Sequence, residues 1–130
     1  MQTMATSLFF QLSPSAPSNI DLPPRDITVN ESDATTFTCG VSGVPLPSIV
    51  WTLPSGDNLE STVLNGQDIE QTGIYAETIV SEETPYAATS TLNIDSVSRE
   101  DDGVYTCTAI NQIANATAST TLTVQGMWFS

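Results

Sequence analysis

At 130 residues the chain has room for one domain with a proper core. It carries only Arg25 and Arg99 as cations, no lysine and no histidine, against fifteen acidic residues, for a formal net charge of -13. Such a surface repels phosphate, anionic headgroups and sulfated sugars, which argues against a nucleic-acid partner. Without histidine no Ser-His-Asp or Cys-His pair can be built, and the usual zinc sets lose their imidazole.

Acidic chains are often disordered, but 39% apolar content placed with a two-residue period argues for a packed β domain. Residues 1–21 are expected to be a leader remnant or linker. Met1–Phe10 lacks the basic start and the apolar length of a signal peptide, and Ser13–Ser18 is rich in Ser and Pro. No run reaches the ~18 apolar residues of a membrane span, so any membrane attachment comes through missing parts of a longer chain. The folded domain is expected over residues 22–125, with 126–130 an apolar tail to which no function is assigned.

Asp26–Val29, after Pro23-Pro24, reads as an edge strand. Thr35, Phe37 and Cys39 alternate onto one face of the next strand. From Cys39 the odd positions run Val41, Gly43, Pro45, Pro47, Ile49, Trp51, with Ile49, Trp51 and Leu53 directed inward. Ser61–Leu64 and Gln67–Glu70 flank Asn65-Gly66, a strong hairpin turn signal. Ile74–Val80 and Tyr86–Ile94 alternate as strands, the second facing Ser90, Leu92 and Ile94 inward, and Val97 extends the core. Ser98–Asp101 is a turn. Val104–Ile110 and Ala116–Val124 are the last two strands, with Asn111–Asn115 between them and Leu122 and Val124 the expected buried pair. There is no helix signal of useful length and no internal repeat.

Cys39 and Cys107 are the only cysteines, and a reduced buried pair is one way to read them. The order Cys39, Gly43, Pro45, Pro47, Ile49, Trp51, followed by Asp101-Asp102-Gly103-Val104-Tyr105-Thr106-Cys107, resembles the I-set of immunoglobulin-like domains over roughly residues 22–125. The resemblance implies an all-β, two-sheet Greek-key sandwich with one inter-sheet disulfide, Cys39–Cys107. It implies that Trp51 and Leu92 fill the core beside that bond. It also implies that the Tyr105 hydroxyl bonds back to backbone near Asp101. Gly103 would let the chain pass closely, and the Asp101 carboxylate would bind turn amides. The separation of the two cysteines is long for an I-set domain. It matches a variable-type domain with an extra hairpin, which Asn65-Gly66 would supply. Variable-type domains often pair a basic residue with the turn aspartate; no Arg or Lys occurs in Ile74–Val80, so that bridge is absent or rerouted through Arg99.

Two N-glycosylation sequons, Asn30-Glu31-Ser32 and Asn115-Ala116-Thr117, fall at turns near opposite ends of such a sandwich. With the motif, they favour the oxidised pair and an extracellular or cell-surface location. Glu82-Glu83 and Glu100-Asp101-Asp102 are acidic runs, but no Asp-x-Asp-x-Asp-Gly loop gathers calcium oxygens, and no acid pair is spaced for glycoside chemistry. No metal, cofactor or catalytic residue is expected. Leu46, in the rigid segment Val44–Pro47, and Ile113, in the Asn111–Ala114 turn, are candidate contacts at one end of the domain. Ala114 replaces the glycine common in the family, which predicts a reshaped turn.

The expected function is an extracellular protein-binding or adhesion module of a receptor or adhesion molecule, with a homophilic or heterophilic protein partner. A soluble immune-type recognition domain, a structural spacer of an intracellular filament, and a small extracellular enzyme are the competitors. The missing histidine weighs against the last.

Overall fold

A computed structural model describes residues 15–63 and 73–126. Among these residues ten strands follow in order: β1 Ala16–Leu22, β2 Ile27–Asn30, β3 Thr35–Val44, β4 Ser48–Thr52, β5 Asn58–Glu60, β6 Thr62–Val63, β7 Ile74–Val80, β8 Ala87–Ile94, β9 Gly103–Ile110 and β10 Asn115–Gln125. They form two five-stranded sheets, β1-β3-β8-β7-β6 and β2-β10-β9-β4-β5, packed as an immunoglobulin-like sandwich. A short 3-10 turn, Arg99–Asp101, joins the sheets before β9. Among the described residues no helix is long and apolar enough to cross a membrane.

Side-chain alternation decides which residues meet between the sheets. Phe37, Cys39 and Val41 from β3, Leu92 and Ile94 from β8, and Ala76 from β7 face Ile49 and Trp51 from β4, Tyr105, Cys107 and Ala109 from β9, and Leu122 from β10. Val97 closes this core below β8. Leu53 and Val124 are only partly buried against it, while Thr120 is buried in β10. Burying each large apolar side chain of this kind contributes about 1.5–3 kcal/mol.

Two expectations are corrected. Ala16–Leu22 is not linker: it is a strand that pairs antiparallel with β3, from Ala16 opposite Val44 to Leu22 opposite Gly40, with two irregularities in register. Its Pro17 and small polar residues hide the period, yet an edge position beside β3 tolerates both. The chain then crosses to the other sheet at Pro23–Asp26, and β2 pairs in parallel with β10.

The second correction concerns the extra hairpin. Thr62-Val63 does not extend the sheet of β5. Ser61 is the crossing point, and β6 pairs in parallel with β7 in the opposite sheet, Thr62 facing Glu77. Asn65-Gly66 and Gln67–Glu70 lie outside the described residues.

Candidate functional site

The centre of the molecule is a clamp. The Cys39–Cys107 disulfide joins β3 to β9, one from each sheet, with Cα atoms 6.6 Å apart. Trp51 and Leu92 are fully buried beside it. Phe37 holds the aromatic cluster together, its ring centroid 5.1 Å from Tyr105 and 6.3 Å from Trp51, both tilted.

The indole N–H finds its partner across the gap. Trp51 Nε1 donates to Ser90 Oγ at 2.9 Å, and Ser90 in turn shares a 2.7 Å hydrogen bond with Ser61 Oγ. Thr78 Oγ1 donates to the same Ser61 oxygen. Four polar groups from β4, β7, β8 and the crossing point thus satisfy one another inside the sandwich. Alternation along the sequence directs Ser90 inward, but no local motif marks Ser61 or Thr78. A buried hydroxyl opposite a core tryptophan was the available signal.

The turn before β9 is built on Asp101 and Tyr105. The Tyr105 hydroxyl donates to the Asp101 backbone oxygen at 2.6 Å. The Asp101 carboxylate accepts from the Ser98 backbone amide at 2.8 Å. Burial, then the nearby carboxylates of Asp101 and Asp102, push the Tyr105 phenol up to about 12. Gly103 has φ +142°, and a Cβ there would lie 2.8 Å from Pro54 Cβ, so a side chain is excluded by both backbone and space. Arg99, in the same turn, pairs through Nε with Glu31 Oε1 at 2.9 Å, tying the turn to the end of β2.

Carboxylates do further work that the sequence did not announce. Asp102 Oδ2 accepts from the Val124 amide at 2.8 Å. Asp26 Oδ1 accepts from Thr121 N at 2.9 Å and Thr120 Oγ1 at 3.0 Å. Asp102 and Asp26 therefore fasten β10 from both sides. Among the described residues no group of three or more His, Cys, Asp or Glu side chains is arranged to hold a metal ion.

Asn111 organises the opposite end. Its Nδ2 donates to Ala16 O at 2.9 Å and Pro45 O at 3.0 Å, and its Oδ1 accepts from the Ile113 and Ala114 amides, each at 3.0 Å. One amide side chain thereby joins the start of β1, the Val44–Pro47 segment and the β9–β10 turn. Leu46 and Ile113 share this end but differ in role. Leu46 packs against the core, whereas Ile113 is 48% exposed. The Val44–Pro45 peptide is cis.

Asn30 and Asn115, the two sequon asparagines, are both exposed, at the end of β2 and the start of β10. Asn30 pairs in register with Gln125 and Asn115 with Ile110, so they stand at opposite ends of β10.

This architecture, with its inter-sheet bond, core indole and tyrosine-anchored turn, defines an immunoglobulin-like domain. The chain belongs to the immunoglobulin I-set domain family, whose model matches residues 18–124. It is 37% identical over 101 residues, 78% of its length, to vascular endothelial growth factor receptor 2 of Danio rerio. It is 30% identical over 111 residues, 85% of its length, to smooth-muscle myosin light chain kinase of Gallus gallus. The matches span only 6% and 5% of those two proteins. The fold is similar to the titin tandem immunoglobulin domains A164-A165, with TM-score 0.65, 27% identity, and coverage of 86% of this chain and 49% of that one. Similar domains thus occur in proteins named as a growth-factor receptor, as a myosin light chain kinase and as titin.

Proposed function

We propose that this domain is an extracellular protein-binding module of a cell-surface receptor or adhesion molecule. The observation that carries the reading is the closed Cys39–Cys107 bond, because such bonds persist in oxidising compartments and are rare in the cytosol. The two exposed sequons and the likeness to a growth-factor receptor support it. The partner is a protein. Net charge -13 disfavours nucleic acid and anionic lipid, and membrane attachment belongs to other parts of a longer chain. Ile113, exposed beside the rigid Val44–Pro47 segment, is the contact residue at that end.

The test is secretion from eukaryotic cells behind an added signal sequence, followed by intact mass with and without alkylation and glycosidase. The expected result is no alkylation before reduction, and a mass loss on deglycosylation that disappears in Asn30→Gln/Asn115→Gln. Two alkylatable thiols and no sugar would overturn the reading. That outcome would favour a second reading, a spacer domain of an intracellular filament, which the likeness to titin and myosin light chain kinase supports.

A further inference from the structure

The two sequon asparagines stand on the outward side of one sheet, but their surroundings differ. Asn115 lies directly opposite Ile110 of β9, and Ile110 directly opposite Ser48 of β4. The next outward row is Thr117, Thr108 and Val50. Ile110 is 39% exposed, so an apolar side chain lies open to solvent beside this sequon. At the other end of β10, Asn30 is opposite Gln125, and the row before it sets Thr28 beside Thr123. No exposed large apolar side chain belongs to either of those two rows. Strands β4, β9 and β10 contain no charged residue.

We propose that Ile110 is a docking site for the first N-acetylglucosamine of a glycan on Asn115, so that the sugar lies along the sheet instead of standing in solvent. The inference rests on reading the domain as secreted and its sequons as used, and it names what one of the two sugars touches. Opposed residues in an antiparallel ladder have Cβ atoms ~5 Å apart. A pyranose ring linked to the Asn115 amide nitrogen therefore starts within reach of the Ile110 methyl groups. That sugar is amphipathic: its ring C–H groups and acetamide methyl are apolar, and its hydroxyls are not. Laying the apolar side on Ile110 removes apolar area from water. The hydroxyls of Thr108 and Thr117, in the next row, both donate and accept, and so match the sugar's own hydroxyls. No charged side chain of β4, β9 or β10 has to be desolvated beneath it.

The ladder also gives the sugar a direction. From Asn115 the sheet runs on toward Ser119, while the turn that holds Ile113 lies beyond the last pair, Asn115 with Ile110. A sugar held on Ile110 covers the sheet and leaves the Ile113 end open to a protein partner. Asn30 has no such platform, so its sugar adds bulk and solubility alone.

The test uses the full chain secreted from eukaryotic cells restricted to high-mannose glycans. It carries Asn30→Gln and is trimmed by endoglycosidase H to one N-acetylglucosamine on Asn115. Nuclear Overhauser contacts are expected between the sugar's acetamide methyl or ring protons and the Ile110 methyl groups. Its Tm is expected about 3 °C above that of Asn30→Gln/Asn115→Gln. Ile110→Ser removes most of that gain, read as the difference between sugared and sugar-free forms, so that any effect of the substitution on the bare domain cancels. Val104→Ser, at the other end of β9, leaves the gain unchanged. A single N-acetylglucosamine on Asn30, in an Asn115→Gln chain, gives no gain. A sugar on Asn115 that makes no contact with Ile110, gives no gain, or gives one that survives Ile110→Ser overturns the inference and leaves the extracellular reading standing. So does an oxidised, secreted chain whose Asn115 is bare while Asn30 carries sugar. Free thiols with no sugar at either sequon would overturn both.

Discussion

At Tyr105 a single hydroxyl links packing to pH. The phenol is pushed up to about 12 in the folded chain against an ordinary value of 10. The neutral form is thus favoured by folding. Its contribution is fully present below pH 10 and declines as pH rises through 10 to 12, where the unfolded chain ionises first. Denaturant midpoints measured at pH 9, 10.5 and 12 are expected to fall in that order, and Tyr105→Phe to flatten part of the fall. At pH 7 the same substitution, which removes the hydrogen bond to Asp101 O, is expected to cost about 1–2 kcal/mol. Ser90→Ala leaves the buried Trp51 N–H and the Ser61 hydroxyl without their shared partner, at an expected cost of about 1–3 kcal/mol by urea unfolding. The Tyr105–Asp101 bond is local, four residues apart, and such a contact is visible in a short motif. The Asp26 contact with β10 spans ninety-five residues and the Asn111 contact with Ala16 spans the same distance. No local pattern marks either, because only the completed sandwich brings the groups together.

Among the elements, β1 and β6 taught the most. Most of the strands from β3 to β10 announced themselves by alternation and turn residues, since each turns one side to a core. Strand β1 is an edge with Pro17 near its start and no regular alternation of apolar and polar side chains, so its pairing with β3 rests on backbone hydrogen bonds rather than on a hydrophobic stripe. The fold therefore needs residues that composition assigns to a linker. A chain beginning at residue 23 is expected to lose about 2 kcal/mol or more relative to one beginning at 15, a fall in Tm of about 10 °C for a domain of this size. Differential scanning calorimetry of the two lengths checks this. Strand β6 was misplaced for another reason. The residues around Ser61 fit a hairpin arm equally well on either sheet, and the choice is made by its hydroxyl, which reaches Ser90 and Thr78 inside the sandwich.

For the molecule as a whole the disulfide acts by restricting the unfolded chain. Closing a loop across a sequence separation of 68 stabilises the fold by about 4 kcal/mol in the chain-entropy model. Reduced and alkylated protein is expected to unfold in denaturant with a midpoint lowered accordingly. The family was readable because the residues that define it surround this bond. The partner was not, because the motifs around this bond build the scaffold and carry no information about which surface is used.

The same bond governs how far the domain can be drawn out. Ala16 lies beside Pro45 and Asn111, and Gln125 lies beside Asn30 and Glu31, at the other end of β10. Tension along the backbone therefore enters at one pole and leaves at the other. With the cysteines joined, only the stretches outside the Cys39–Cys107 loop can pay out, about 100 Å beyond the folded length, whereas the reduced chain yields about 330 Å. Single-molecule extension traces with and without reductant should separate these two lengths. An oxidised domain is thus a short leash that stops abruptly, and a reduced one a long leash that does not.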